Sequence, residues 1–261
     1  MAEDELLVAT PQTGRTWRFD LLLPVLIRPR SAMARVVEQN RPNWRAPMAV
    51  LLLATVIHAL VAGSINAAAR AAGEIVLPPN FQYYTPEQQA QFQQAATATN
   101  NTTFNYILPA LSAALGALLV WLAVSWLLHL VLTLLGGRGT SQQIINVVAW
   151  ASVPFALRAL VQIVAMLATD QLVAGSGLSG FAPVGDGSLS VFLAAMLGQI
   201  DLYLIWHVVL VYIGARVASQ LPAARCWLAI LLVVALVMAL RALPDAILAR
   251  FSDLTVIQPF L

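Results

Sequence analysis

From residue 47 onward the chain alternates long apolar runs with short polar stretches. The runs cover about 47–69, 107–135, 144–168, 189–215 and 223–243. Each is long enough to cross a hydrocarbon core, which needs roughly 20 helical residues. The pattern predicts an all-α membrane protein: a five-transmembrane-helix bundle with short N-terminal interfacial helices ahead of it. Ser112 and Gly116, and Ala113 and Ala117, repeat small residues four apart in the second run, which lets another helix approach closely.

The period changes in the head, 1–46. Phe19, Leu22, Leu23 and Leu26 fall at helical spacing and predict one short amphipathic helix. Arg28-Pro29-Arg30 ends it, and Ser31 is placed to cap a second helix that carries Met33, Val36 and Val37 on one side. Apolar stripes flanked by arginine suit helices lying on an anionic inner leaflet. In that reading Arg28, Arg30 and Arg35 face lipid or a partner, and Trp44 anchors the mouth of the first span. Charges that serve only to set topology are the alternative. In the polar stretch after the first span, Thr85-Pro86-Glu87-Gln88 reads as a capping-box start for a helix through Ala98, with Phe92 its main apolar side chain. Beyond Pro244, Ile247, Leu248, Phe251 and Leu254 share a side, predicting an interfacial helix in the tail 244–261.

Composition narrows the function. The chain is 60% hydrophobic and 10% charged, whereas soluble domains run about 45–50% and about 25%. One membrane domain, 47–243, accounts for nearly everything outside the head and tail. The single cysteine, Cys226, excludes an intrachain disulfide and a cysteine-based metal cluster. All 14 basic residues are arginine, so neither a Schiff-base lysine nor a P-loop is present. The first residues lack the apolar stretch of a signal peptide, so the first span is expected to act as its own insertion signal. With the N-terminus inside, the inner segments hold ten arginines and the outer ones Arg70, Arg241 and Arg250. This asymmetry places the N-terminus in the cytoplasm and, after five spans, the C-terminus outside.

Ionisable residues within spans are candidate sites, because burying them in lipid is costly. Arg158 lies about 15 Å from the outer end of the third run and Asp201 about 18 Å from the same side of the fourth. Matching depths predict an ion pair between them, static or broken and re-formed during transport. His58, His129, His207 and Gln162 form a possible polar cluster. None has the spacing that would fix two metal ligands on one helix face, so no metal or other cofactor is expected. No G-x-S-x-G elbow occurs, and catalysis is not expected.

Three stretches resemble the Yip1 family of multi-span membrane proteins. They are Pro24-Val25-Leu26-Ile27-Arg28-Pro29-Arg30 with Trp44 downstream, the turn Gly136-Gly137-Arg138-Gly139 leading to Ala151-Ser152-Val153-Pro154, and Ile205-Trp206 with Ile213-Gly214 leading into Ala223-Ala224-Arg225. The resemblance implies a scaffold or adaptor. Eukaryotic relatives are associated with small GTPases and vesicle traffic, and carry a longer cytoplasmic N-terminal region than this head. Bacterial relatives look like accessory subunits, some encoded beside ABC-type export machinery.

The expected function is a non-catalytic scaffold or accessory subunit of a larger membrane complex, most plausibly an ABC-type exporter, in a bacterial inner membrane. Lipids of the anionic inner leaflet, other membrane subunits and a second copy of the chain are the partners implied; nucleic acid is not. A small transporter or channel using Arg158, Asp201 and the histidines is the alternative from another class. Membrane shaping or trafficking is a third.

Overall fold

A computed structural model of the protein describes residues 17–38, 41–72, 81–173, 177–183 and 187–254. Among these the secondary structure is helical throughout. In chain order the helices are α1 (Leu22–Ile27), α2 (Pro29–Glu38), α3 (Arg45–Ala71), α4 (Pro86–Ala98), α5 (Leu108–Leu134), α6 (Ser141–Ala151), α7 (Val153–Thr169), α8 (Ser188–Gly198), α9 (Leu202–Ser219) and α10 (Ala223–Leu254). A π-helical turn, Thr103–Ile107, leads into α5. Five helical segments are long and apolar enough to cross a membrane: α3, α5 with its leading turn, α6–α7, α9 and α10 as far as Arg250.

The α6–α7 segment is the most buried of the five and α5 the least. α3 packs on α5 and α7, while α9 contacts α6, α7 and α10. Val147, Trp150, Leu128, Leu210 and Ile230 meet in the centre with essentially no exposure. Two glycines allow the closest approaches. A Cβ on Gly214 of α9 would fall 2.5 Å from a Val147 methyl of α6, and one on Gly63 of α3 would collide with the Asn105 carbonyl oxygen. Tyr212 of α9 stacks on Trp227 of α10 with centroids 4.3 Å apart. By contrast, α5 turns Leu111, Leu115, Leu119, Leu122, Trp126 and Leu130 outward along one stripe.

The sequence expectation of α4 holds in detail. Thr85 accepts from the Gln88 backbone N–H, and the Gln88 side chain accepts from the Thr85 N–H. Phe92 packs on Phe81 at 5.4 Å between centroids.

Other expectations need correction. The third apolar run is two helices that meet at Ser152, because Pro154 supplies no N–H to continue the ladder. The fourth run is not one span either. It breaks after Gly198 and restarts at Leu202, with Asp201 as the N-cap of α9. Glycine weakens the helix there, and an aspartate side chain caps a new helix better than it continues an old one. Pro244, read as a terminator, lies inside α10, which runs on to Leu254. Residues 247–254, expected in a separate tail helix, belong to α10, on whose last turns Ile247 and Leu248 are exposed. The side chains of Phe251 and Leu254, and residues 255–261, lie outside the described residues.

The head also differs. Pro29 is the first residue of α2, as its fixed φ and missing N–H favour, and Ser31 lies inside that helix, donating to the Arg28 carbonyl. Across the 3-10 turn Phe19–Leu21 and α1, Leu21 and Val25 are the buried positions, whereas Phe19 and Leu23 are exposed. Met33, Val36 and Val37 do share one face, but that face packs on protein: α2 lies across α6 and α9.

Candidate functional site

The glycine turn joins the head-side ends of α5 and α6. Gly136 has φ +91°, a conformation that glycine adopts without steric penalty. A Cβ on Gly137 would press on Ser219, and one on Gly139 on the Ala218 carbonyl. The turn is thus sewn to the end of α9, and the Arg138 backbone N–H donates to the Ser219 carbonyl at 3.1 Å. The Arg138 side chain is exposed. Thr140 and Gln143 then form a capping box at the start of α6.

From this turn rises a neutral polar lock that sequence reasoning missed. The Asn146 side chain, fully buried, donates to the Arg41 carbonyl and accepts from the Asn43 N–H and from Gln142. The Asn43 side chain donates to the Val36 carbonyl and accepts from the indole N–H of Trp150 at 3.0 Å. Gln143 uses its remaining amide to donate to the Val37 carbonyl. Together they tie the end of α2 and the 41–44 link to α6. A single signal was available: Asn146 sits alone in an apolar run, where an amide needs partners. Trp44 belongs to the same region. It is half-buried and packs on Trp121 at 5.0 Å between centroids. Arg28, Arg30 and Arg35 are exposed.

Further along the bundle, the break before Pro154 has a chemical consequence. The Phe155 N–H bonds to the Ser152 carbonyl. It therefore does not take up the Ala151 carbonyl, as a regular α-helix would require. His207 of α9 fills that gap, its Nδ1 lying 2.8 Å from the Ala151 oxygen. A carbonyl can only accept, so Nδ1 carries the proton and Nε2 remains an acceptor. The imidazole also packs on the Phe155 ring at 4.8 Å.

One turn beyond lies the expected ion pair. Arg158 of α7 donates through Nη1 to Asp201 Oδ2 at 2.9 Å. The other oxygen, Oδ1, accepts from the Leu204 N–H at 2.8 Å, capping α9. The side chains keep 33% and 17% exposure, so the pair is only partly dehydrated. Gln199, in the break, donates to the carbonyls of Ala195 and Met238 and so fastens the end of α8 to α10. Gly177, at φ +59°, brings the preceding loop against the carbonyls of Leu197, Gly198 and Ile200.

A cavity of about 540 Å³ opens beside this pair, walled by α5, α7, α8, α9 and α10. Arg158, His207, Gln199, Arg241 and Asp245 line it together with valines of α5 and α10. The anticipated cluster of His58, His129, His207 and Gln162 is distributed over α3, α5, α9 and α7. His58 sits half-buried on α3, His129 on α5 and Gln162 on α7, and only His207 reaches the cavity. Among the described residues no three His, Cys, Asp or Glu side chains converge.

Comparison with curated proteins finds no match, and none is found among solved structures. A family model described as the Yip1 domain matches residues 23–242, from α1 into α10, and takes in the glycine turn, the Pro154 break and both members of the ion pair. The chain is therefore a multi-pass membrane protein that belongs to the Yip1 family.

Proposed function

We propose that the protein is a non-catalytic scaffold or accessory subunit of a larger membrane complex, with an ABC-type exporter as partner. The observation that carries this reading is the outer face of α5. Leu111, Leu115 and Leu119 are exposed on it, Ser112 is exposed beside them, and a Cβ built on Gly116 meets nothing within 4 Å. A notch of small residues between leucines suits close approach by another membrane helix, since packing rather than hydrophobicity drives association in lipid. In this reading the protein sits in a bacterial inner membrane, and the arginine-rich head supports an N-terminus in the cytoplasm and a C-terminus outside. Trp17, Phe19, Leu23 and Ile27, all exposed next to Arg28 and Arg30, suit contact with an anionic inner leaflet.

The test is capture of the tagged protein from its native membrane in mild detergent, followed by identification of what accompanies it. Transporter subunits are expected in stoichiometric yield, and Gly116→Leu should lower their recovery by about tenfold or more while the variant still folds. Recovery alone, or only with a second copy of itself, would overturn the accessory reading.

The broken α8–α9 segment and its cavity favour a second reading, a small transporter, because discontinuous helices build such sites. A transporter also needs a polar path onward. Leu128, Trp150 and Leu210, all with essentially no exposure, fill the bundle on the head side instead, which makes this the weaker reading.

A further inference from the structure

The cavity between α5, α7, α8, α9 and α10 separates its charged and apolar parts along the bundle axis. Counted from the head-side ends of their segments, Val124 and Val234 stand about 15 Å up and Val237 about 21 Å. On the same count Arg158 lies at about 25 Å, Arg241 at about 27 Å and Asp245 at about 33 Å. All six line the cavity. The apolar wall is therefore nearer the head, and the charges lie at the end away from it.

Two of those charges form no ion pair among the described residues. Arg158 is engaged by Asp201, and the other ion pair among the described residues joins Arg18 to Asp20. Neither Arg241 nor Asp245 forms one, although both line the cavity and both are exposed. They stand one turn apart on α10, with the cation deeper by about 6 Å. A cation and an anion that line open volume without pairing leave both charges available to a ligand.

We propose that this cavity binds a zwitterionic phospholipid bearing a primary ammonium, that is, a phosphoethanolamine headgroup. In such a lipid the phosphate lies deeper than the ammonium and a two-carbon linker separates them, which matches the order and spacing of Arg241 and Asp245. The phosphate sits against Arg241, with the free edge of the Arg158 guanidinium at a similar height. The ammonium donates to Asp245. One acyl chain follows the valine wall, passing the buried His207. A lipid with only an anionic head leaves Asp245 facing like charge. A quaternary ammonium offers no N–H to it.

The experiment uses the full-length protein, stripped of lipid by detergent exchange and returned to nanodiscs or micelles containing defined lipids. Retained lipid is counted by native mass spectrometry. Phosphatidylethanolamine should be retained about tenfold over phosphatidylcholine and phosphatidylglycerol, the scale of one charge-assisted hydrogen bond. Asp245→Asn should abolish that preference. Arg241→Gln should weaken retention of all three lipids by about tenfold. Ala194→Trp, which fills the cavity from α8 without touching a charge, should remove retention altogether, and thermal unfolding confirms that each variant folds. Equal retention of the three lipids, or an unchanged preference in Asp245→Asn, would overturn the proposal. So would glycerophosphoethanolamine competing as well as the whole lipid, which would make the site one for a soluble headgroup.

Discussion

The two ends of this bundle solve the problem of polar groups in an apolar surround in opposite ways. At the head end, Asn43, Asn146 and Trp150 are neutral, fully or almost fully buried, and satisfied by one another and by backbone carbonyls. Toward the other end, Arg158, paired with Asp201, lines a cavity of about 540 Å³ together with Arg241 and Asp245, and all four charged groups are more exposed. A closed network of neutral groups rigidifies the place where it sits, because breaking any bond leaves an orphan in low dielectric. A charged site beside open volume has capacity left for something that is not protein. The lock holds the head onto the spans; the cavity is where a ligand has room.

The largest expected effect lies in the lock. Asn146→Leu leaves the Arg41 carbonyl, the Asn43 N–H and the Gln142 amide short of partners, and unfolding in detergent should show a loss of about 3 kcal/mol. The variant should also release the head, seen as faster proteolysis near Arg41. A loss below about 1 kcal/mol would mean that water replaces the amide and the lock is open.

A smaller effect is expected at the ion pair. Asp201→Asn strands the Arg158 guanidinium and should cost about 2 kcal/mol, less than breaking a fully buried pair because both side chains keep some exposure. The double variant Arg158→Gln with Asp201→Asn should regain most of that loss. If each single change were harmless and the double no better, the charges would not be coupled in solution.

The smallest effect should come where the two ends meet. His207→Phe keeps the packing on Phe155 but removes the donor to Ala151, and about 1 kcal/mol of stability should go with it. Infrared spectroscopy with a carbon-13 label at the Ala151 carbonyl should show its stretch shifting upward. An unmoved band would place the His207 proton on the other ring nitrogen.

Much of the fold was legible because lipid leaves few options. Apolar runs near the bilayer thickness must be helices, and Thr85 with Gln88 marked the start of α4 through local chemistry alone. Comparable depths of Arg158 and Asp201 were enough to anticipate their pairing. Less was legible where two local rules competed. Asp201 was read as a residue inside a span, yet it caps a new helix, because Gly198 had already weakened the old one. Pro244 was read as an end, yet α10 continues through it. The stripe of α2 looked lipid-facing because amphipathicity tells which side is apolar and not what covers it.

The sequence by itself determined the number of long apolar segments, the family and the pairing of two membrane charges, since hydropathy, local motifs and depth are properties of the chain in order. Only the tertiary structure decided that Asn43 meets Asn146 and Trp150, that His207 takes up the Ala151 carbonyl, and that Arg241 and Asp245 face a cavity. Those arrangements depend on which faces of distant helices turn toward each other, and rotation about a helix axis is set by packing against neighbours.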